Sequence, residues 1–522
     1  MTKMGSLGGE KGMLAKINSF GLIGIKGYPV EVEVDINYGL PKIDTVGLPD
    51  AAIKEAKDRV SSAIKNSGFL FPVLKITINL APADTKKEGV LYDIPIALGI
   101  LQAGGDGQLE CDFRDYAFIG ELGLDGSIRK ANGVLPILIS AREHGIKKFV
   151  IPYDNAQEAS FIDGLEIYPV GSLAQLVGFL KGEVAVKPLE KKGFEQVKTL
   201  AKHNHDFCYV RGQASARRAL EIAAAGGHNI LMIGPPGTGK TMLARCFPTI
   251  LPDMTFEEAL EVTKIHSVAG VLPTSEGIVA ARPFRSPHHT ATTPALTGGG
   301  KNARPGEISL AHNGVLFLDE MPEYSRHLLE TMRQPLEDGV ITVARQQATV
   351  EYPADFTLIA SMNPCPCGNY GSTTKQCKCT ATQIHKYLNR LSGPLMDRID
   401  LHVEVDNVSY DELTAEGLEE ASELIKARVD KARENQLNRF KGSKIYSNSK
   451  MNTRQTLEHC KLDKQSEEML AVAFEKLNLS ARAHNRILKV SRTIADLEGS
   501  ENITKEHVAE AIQYRSLDKK YW

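Results

Sequence analysis

Aromatic side chains are scarce in this chain: they make up 6% of its 522 residues, with a single tryptophan. An excess of either charge is missing as well, because 62 Lys and Arg stand against 64 Asp and Glu, for a formal net charge of −2. That balance exerts no global pull on nucleic acid, so any contact with DNA has to come from a local patch. No apolar run reaches the roughly 20 residues that cross a bilayer, and residues 1–12 lack the apolar centre of a signal peptide. These absences predict a cytoplasmic protein that begins with a loose extension over residues 1–12. Cysteine is sparse outside one cluster. Cys111, Cys208, Cys246 and Cys460 are scattered and read as small buried hydrophobes, not as a disulfide framework.

What is present is ordinary in bulk and specific in places. The 42% hydrophobic and 24% charged residues are those of a globular protein, and the length suggests about three domains. The specific stretch is Gly234, Pro235, Pro236, Gly237, Thr238, Gly239, Lys240 and Thr241, set between Asn229–Ile233 and Met242–Arg245. A short buried strand, a glycine turn and a helix start form the context a P-loop needs. The glycines let backbone N–H groups close around phosphate oxygens, and the helix N-terminus adds favourable partial charge. Lys240 is then the group that reaches the β- and γ-phosphates of ATP, and Thr241 a ligand of Mg²⁺. About 80 residues further on, the apolar run from Gly314 to Leu318 ends in Asp319 and Glu320, a Walker B pattern. Asp319 is placed to hold Mg²⁺ and Glu320 to polarise the attacking water. The next buried strand, Asp355–Ser361, delivers Asn363.

Residues 13–180 read as an α/β unit, with strands at Val30–Asp35, Leu74–Leu80, Tyr116–Leu122 and Lys148–Ile151 and helices at Asp50–Ser67, Asp93–Ala103 and Leu135–His144. Residues 181–204, rich in lysine with Glu and Gly between, read as a linker with some helix. Gly339–Glu351 is two alternating β-runs around a polar tip, a hairpin. From Ser409 onward helical patterns dominate, over Asp411–Phe440, Arg454–Leu477, Ala483–Leu497 and Thr504–Tyr514. Cys365, Cys367, Cys377 and Cys379 form two Cys-x-Cys pairs separated by nine residues. Four thiolates can close a tetrahedral Zn²⁺ site; because the spacing is Cys-x-Cys, an Fe–S cluster or a redox pair stays open.

Three resemblances extend this reading. The run from Gly120 through Ala131–Pro136 to Gly145–Pro152 resembles the proteolytic domain of Lon-type proteases, a ribosomal S5 domain 2-like fold. That domain needs a serine within Lys87–Asp93 and a lysine near Leu135, and neither is there, so the resemblance implies the fold without acyl transfer. The P-loop region resembles AAA+ ATPases, which implies a parallel α/β core over 205–407 and a helical lid over 408–522. It also implies an adenine pocket framed by Val210–Gln213, a sensor-1 role for Asn363, an arginine finger at Arg398 that completes a neighbour's site, and a sensor-2 arginine at Arg482, with Arg486 as the alternative. In the same branch the hairpin points into the ring pore, which makes Arg345 the candidate for touching the DNA backbone. Finally, the whole order of motifs, including Arg282-Pro-Phe-Arg, Asn363-Pro-Cys-Pro-Cys and Gly393-Pro-Leu-Met-Asp-Arg-Ile-Asp, resembles the YifB/ComM family of magnesium-chelatase-like AAA+ proteins. That resemblance implies a hexameric, ATP-driven branch-migration helicase acting on DNA. The competing readings are a metal-chelatase-like ATPase, a Lon-type protease, and a regulatory or assembly ATPase with no DNA role.

Overall fold

A computed structural model describes residues 14–104, 109, 111–198, 205–273, 277–300, 303–344, 349–371, 375–414, 417–443, 445–477, 479–517 and 521. The extension over 1–12 and Arg345 therefore lie outside the described residues. The chain divides into two compact units, one of Met1–Leu200 with Ala259–Ala280 and one of Ala201–Glu258 with Ala281–Trp522.

In the first unit, β1 (Leu14–Ile23) and β2 (Lys26–Asn37) form an antiparallel pair in which Leu14 faces Asp35 and Ile23 faces Lys26. Period-two alternation decides the faces: Val30, Val32, Val34 and Ile36 are buried. Glu31 and Glu33 point the other way, where Lys16 pairs with both at 2.8 Å. β4 (Lys75–Ala81) runs antiparallel to β2, and β3 (Lys42–Val46) runs parallel to β4, giving the order β1-β2-β4-β3. Helix Ala51–Asn66 starts at Asp50, whose carboxylate accepts from the Ile53 N–H. Helix Asp93–Ala103 is almost wholly buried; its first residue, Asp93, is 1% exposed and takes the Arg59 guanidinium at 2.9 Å. The sequence reads Tyr116–Leu122 as one strand. The structure divides it into β5 (Tyr116–Phe118) and β6 (Glu121–Leu122), because Gly120 leaves the ladder to bond Leu91 and Ile94. β6 pairs with β7 (Ile128–Arg129), and β5 joins β8 (Lys148–Pro152) and β9 (Glu166–Val170) in a three-stranded parallel sheet.

The second unit is built on five parallel strands, β10 (Ile230–Ile233), β11 (Phe284–Arg285), β12 (Val315–Leu318), β15 (Thr357–Met362) and β16 (Leu401–Glu404), in the order β11-β12-β15-β10-β16. β10 and β12 are buried at every position, which is why they read as unbroken apolar runs with no alternation. The predicted hairpin is β13 (Val340–Ala344) against β14 (Thr349–Pro353). The region after the sheet is helical, as read, but more interrupted. Ser422–Arg439 is separate from Tyr410–Thr414, and Thr453–His459 from Lys464–Leu477. At the second break, Asp463 accepts from the Ser466 N–H and starts a new helix. Among the described residues no helix is long and apolar enough to cross a membrane.

Candidate nucleotide site

Topology assembles the site. β12, β15 and β10 are neighbours, all parallel, and each delivers one motif at its carboxyl end: Asp319 and Glu320, Asn363, and Gly234. The register sets Ile233 beside Met362 and Leu318 beside Ala360, so the residues that follow meet above the sheet edge, where open α/β sheets bind ligands. The Gly234 N–H donates to the Met362 carbonyl at 3.1 Å. The loop then turns into helix Lys240–Cys246 through Gly239, whose φ of +89° is open to glycine at no steric cost.

Thr241 Oγ1 donates to Asp319 Oδ2 at 2.9 Å, so the two residues read as Mg²⁺ ligands stand side by side. Lys240 is buried; its Nζ donates to the Gly234 and Pro235 carbonyls at 2.8 and 2.7 Å and stands 3.5 Å from Asn363 Oδ1. Burial lowers the Lys240 pKa to about 8 against the opposing pull of Asp319 and Glu320. Glu320 is exposed and has a left-handed backbone, φ +51°, a conformation rare outside glycine and frequent at functional sites.

Two further residues belong here. Ser361 donates to Asp319 Oδ1 and accepts from the Glu320 N–H at 3.1 Å, so one hydroxyl orients both acidic residues. The signal was strand alternation: Ser361 and Asn363 are two apart and share a face. Gln213, within the segment read as an adenine frame, donates to the Thr238 carbonyl at 3.3 Å and to the Asp406 carbonyl at 2.6 Å.

Arg398 and Arg482 are elsewhere. β16 runs parallel to β10 with Leu401 beside Ile230 and Glu404 beside Ile233. Arg398 precedes the amino end of β16, while the phosphate loop leaves the carboxyl end of β10. About 13 Å of strand separates the two ends. Arg398 is 6% exposed, paired with Glu337, and donates to the Pro394 carbonyl at 2.7 Å. With Arg482, Asn485, Arg486 and Lys489 it lines a cavity of about 200 Å³. Arg486 pairs with Asp400 and also donates to the Arg398 carbonyl at 3.2 Å. The structure thus does not bring Arg482 to the phosphate loop of its own chain; it groups three arginines at the far end of the sheet.

The four cysteines come together. Cys365 Sγ lies 3.4 Å from Cys367 Sγ and 3.7 Å from Cys377 Sγ, Cys367 and Cys377 are 3.6 Å apart, and all four sulfurs lie within 4.8 Å of one another. A tetrahedron with Zn–S bonds of about 2.3 Å has sulfurs about 3.8 Å apart, so the donor set fits such an ion. N–H groups of Lys378 and Asn369 lower the Cys367 thiol to about 6, whereas burial pushes the Cys365 thiol up to about 12. In the first unit, Leu135 is a buried apolar residue inside helix Val134–Glu143, and Lys87, in the segment where a nucleophilic serine would stand, is itself buried with no partner for its Nζ.

Three family patterns match the chain: "Magnesium chelatase, subunit ChlI" over residues 206–413, "Subunit ChlI of Mg-chelatase" over 32–155 and "Magnesium chelatase, subunit ChlI C-terminal" over 419–515. Competence protein ComM of Haemophilus influenzae is 44% identical over 508 residues, covering 97% of this chain and 98% of ComM. YifB of Escherichia coli is 43% identical over the same length, at the same coverage. The chloroplastic magnesium-chelatase subunit ChlI of Glycine max is 22% identical over 391 residues, 67% of this chain and 83% of that subunit.

Proposed function

This chain belongs to the magnesium-chelatase-like AAA+ ATPase family that includes ComM and YifB, and from that premise we propose that it is a ring-forming motor of the cytoplasm that hydrolyses ATP to migrate branched DNA. The observation that carries the ATPase part is the meeting of Thr241, Asp319, Lys240 and Asn363 at three adjacent strand ends.

In this reading Lys240 binds the β- and γ-phosphates, and backbone N–H groups of Gly237 to Thr241 cradle them. Thr241 and Asp319 would hold Mg²⁺, which would neutralise charge on the phosphates when bound. Glu320 aligns and polarises the attacking water, and Asn363 orients the water or the γ-phosphate. Ser361 fixes the Asp319 carboxylate, so Thr241 and Asp319 present a rigid pair of ligands.

Lys240 is the one cation assigned above to the phosphates, and Arg398 stands at the opposite sheet end of its own chain. A ring supplies the missing group: the amino end of one subunit's sheet meets the carboxyl end of the next, and Arg398 with Arg482 acts on the neighbour's nucleotide. A hexamer is the closed form we assign by family. The first unit keeps a Lon-like, ribosomal S5 domain 2-like fold without peptidase chemistry, the hairpin tip with Arg345 tracks the DNA backbone in the pore, and the helical region after β16 acts as the lid. The four cysteines hold Zn²⁺, which ties the loop between β15 and the helix Ala381–Leu388 together. The match to the chloroplastic ChlI subunit favours a second reading, a chelatase-like or regulatory ATPase without a DNA role.

One experiment separates the two. ATP hydrolysis is measured with and without a four-way DNA junction at low salt. The motor reading expects stimulation of at least several-fold, lost as salt rises; no stimulation and no junction binding leaves the second reading standing.

A further inference from the structure

Glycine at position 368 explains itself only through its neighbour. We infer that Gly368 is a positioning residue that braces the phosphate loop through Pro236, so that the metal held by the four cysteines sets how tightly nucleotide binds. The inference rests on the reading of the phosphate loop and the cysteine site given above.

Cys365 to Gly368 is a tight turn: the Gly368 N–H donates to the Cys365 carbonyl at 2.9 Å. Both thiols of that turn belong to the four-sulfur cluster. Gly368 is buried, has φ +78°, and an added Cβ would stand 2.5 Å from Pro236 Cδ and 3.2 Å from Cγ. The turn therefore lies against the proline ring with no room for a methyl group. Gly237 and Gly239, the other glycines of the phosphate loop's tip, would meet nothing within 4 Å. Pro236 is thus one of two points where the tip of the loop meets the rest of the protein, the other being Thr238, whose carbonyl accepts from Gln213. The amino side of the loop is tied separately, by the Gly234 bond to Met362.

The second cysteine pair anchors the other end of the strap. Thr380, next after Cys379, caps helix Ala381–Leu388 with a reciprocal capping box. Just beyond that helix Arg390 donates to the Pro322 carbonyl at 3.0 Å and pairs with Glu323 at 2.7 Å, on the turn that follows Glu320. Closing the four thiolates on one ion joins the Pro236 brace to the segment behind the acidic pair. Opening them leaves the Cys365–Gly368 turn and the capped helix without the link that the four sulfurs provide. A phosphate cradle works by holding its N–H groups in place before nucleotide arrives, so a loosened tip loses affinity first.

The test uses the full chain and N-methylanthraniloyl-ADP, read by fluorescence, with zinc per chain measured in each sample and circular dichroism confirming the fold. Removing zinc with a chelator weakens ADP binding about tenfold, and restoring zinc reverses it. Gly368→Ala keeps zinc at wild-type content, weakens ADP about tenfold and raises the KM for ATP by a similar factor, while kcat stays within about threefold. Pro236→Ala alone, which deletes the ring that Gly368 lies against and leaves position 368 untouched, weakens ADP by a similar factor at wild-type zinc content. Unchanged affinity in folded, zinc-free chain, in Gly368→Ala or in Pro236→Ala overturns the inference while leaving the nucleotide site intact. A wild-type chain that binds no ADP, or carries no metal, instead overturns the reading on which the inference rests.

Discussion

The two ends of the five-stranded sheet differ in almost every chemical respect. At the carboxyl end several functional groups are open to solvent: Glu320 and Thr241 are exposed and Asp319 partly so, while Lys240 and Thr238 are buried. At the amino end Arg398 is buried against Glu337, Arg486 is half-buried against Asp400, and both line a small cavity with Lys489 and the exposed Arg482. One end sets carboxylates and a hydroxyl beside Lys240; the other gathers Arg398, Arg482, Arg486 and Lys489. Burial together with Arg515 and Arg398 lowers Arg486 to about 10, and burial together with Arg486 lowers Lys489 to about 8. Cations held this way gain from an incoming anion, because phosphate relieves both desolvation and mutual repulsion. In the proposed ring each end would supply half of a phosphoryl-transfer site, since a single chain cannot bring the two ends together across the length of its own strands.

Breaking the ends one at a time is the sharpest use of that contrast. Lys240→Ala removes the cation that stands between the loop carbonyls and Asn363 and is expected to weaken nucleotide binding more than 100-fold. Arg398→Ala leaves binding within about threefold and lowers kcat by about 10³-fold, the scale of a lost arginine finger. Mixing is decisive: Arg398→Ala and Glu320→Gln chains, each inactive alone, regain hydrolysis together, because a mixed interface pairs an intact carboxyl end with an intact amino end. Steady-state hydrolysis across mixing ratios measures this, and activity that stays at the sum of the two parents means the halves do not meet between subunits.

How much of the comparison was legible in the sequence depends on what kind of information each end uses. The carboxyl end is local chemistry on apolar strands. Gly234 to Thr241, Asp319, Glu320 and Asn363 each sit where a buried run stops, and a run stopping at a polar residue is visible one residue at a time. Ser361 was readable in principle through its alternation with Asn363. The amino end is not local. Glu337, Arg398, Arg482 and Arg486 come from three separate segments, and nothing in the spacing of Arg482 says which end of the sheet its helix will reach. The Gly368 contact with Pro236 is invisible for the same reason. The helix breaks between Thr414 and Ser422 and between His459 and Lys464 escaped because amphipathic period continues across a short interruption, and β3 and β9, of five residues each, because alternation in short runs is easily missed.

A smaller change sharpens the carboxyl end alone. Ser361→Ala deletes the hydroxyl that bonds Asp319 and the Glu320 N–H. Neither acidic side chain is removed, but the Asp319 carboxylate keeps only Thr241 as a side-chain donor and the Glu320 N–H loses one of its acceptors. Groups that orient a metal ligand are worth roughly 10- to 100-fold in metal affinity or activity, and an exposed aspartate places this one at the low end. The Mg²⁺ concentration that half-activates hydrolysis should rise about tenfold in Ser361→Ala, with nucleotide affinity in the absence of Mg²⁺ unchanged. An equal rise in both would mean Ser361 supports the loop as a whole and not Asp319.

The smallest effect is in pH, and it is confined to one end. Lys240 has its pKa lowered to about 8 by burial, and only its charged form attracts phosphate. Bound phosphate favours that charge, so the pKa is higher in the complex than in the free chain. By linkage, affinity is then at its full value below the free-chain pKa and is lost as pH rises through it, by up to tenfold per pH unit until the pKa of the complex is reached. N-methylanthraniloyl-ADP should therefore bind equally at pH 7.0 and 7.5 and several-fold more weakly at pH 9. Lys240→Arg, which stays protonated throughout, should give a flat profile over that range, at whatever affinity the larger guanidinium allows. Arg398→Ala should keep the wild-type profile, because the amino end contributes nothing to binding within one chain. A profile that flattened in Arg398→Ala instead would mean that the titrating group sits at the subunit interface, and the division of labour between the two sheet ends would have to be redrawn.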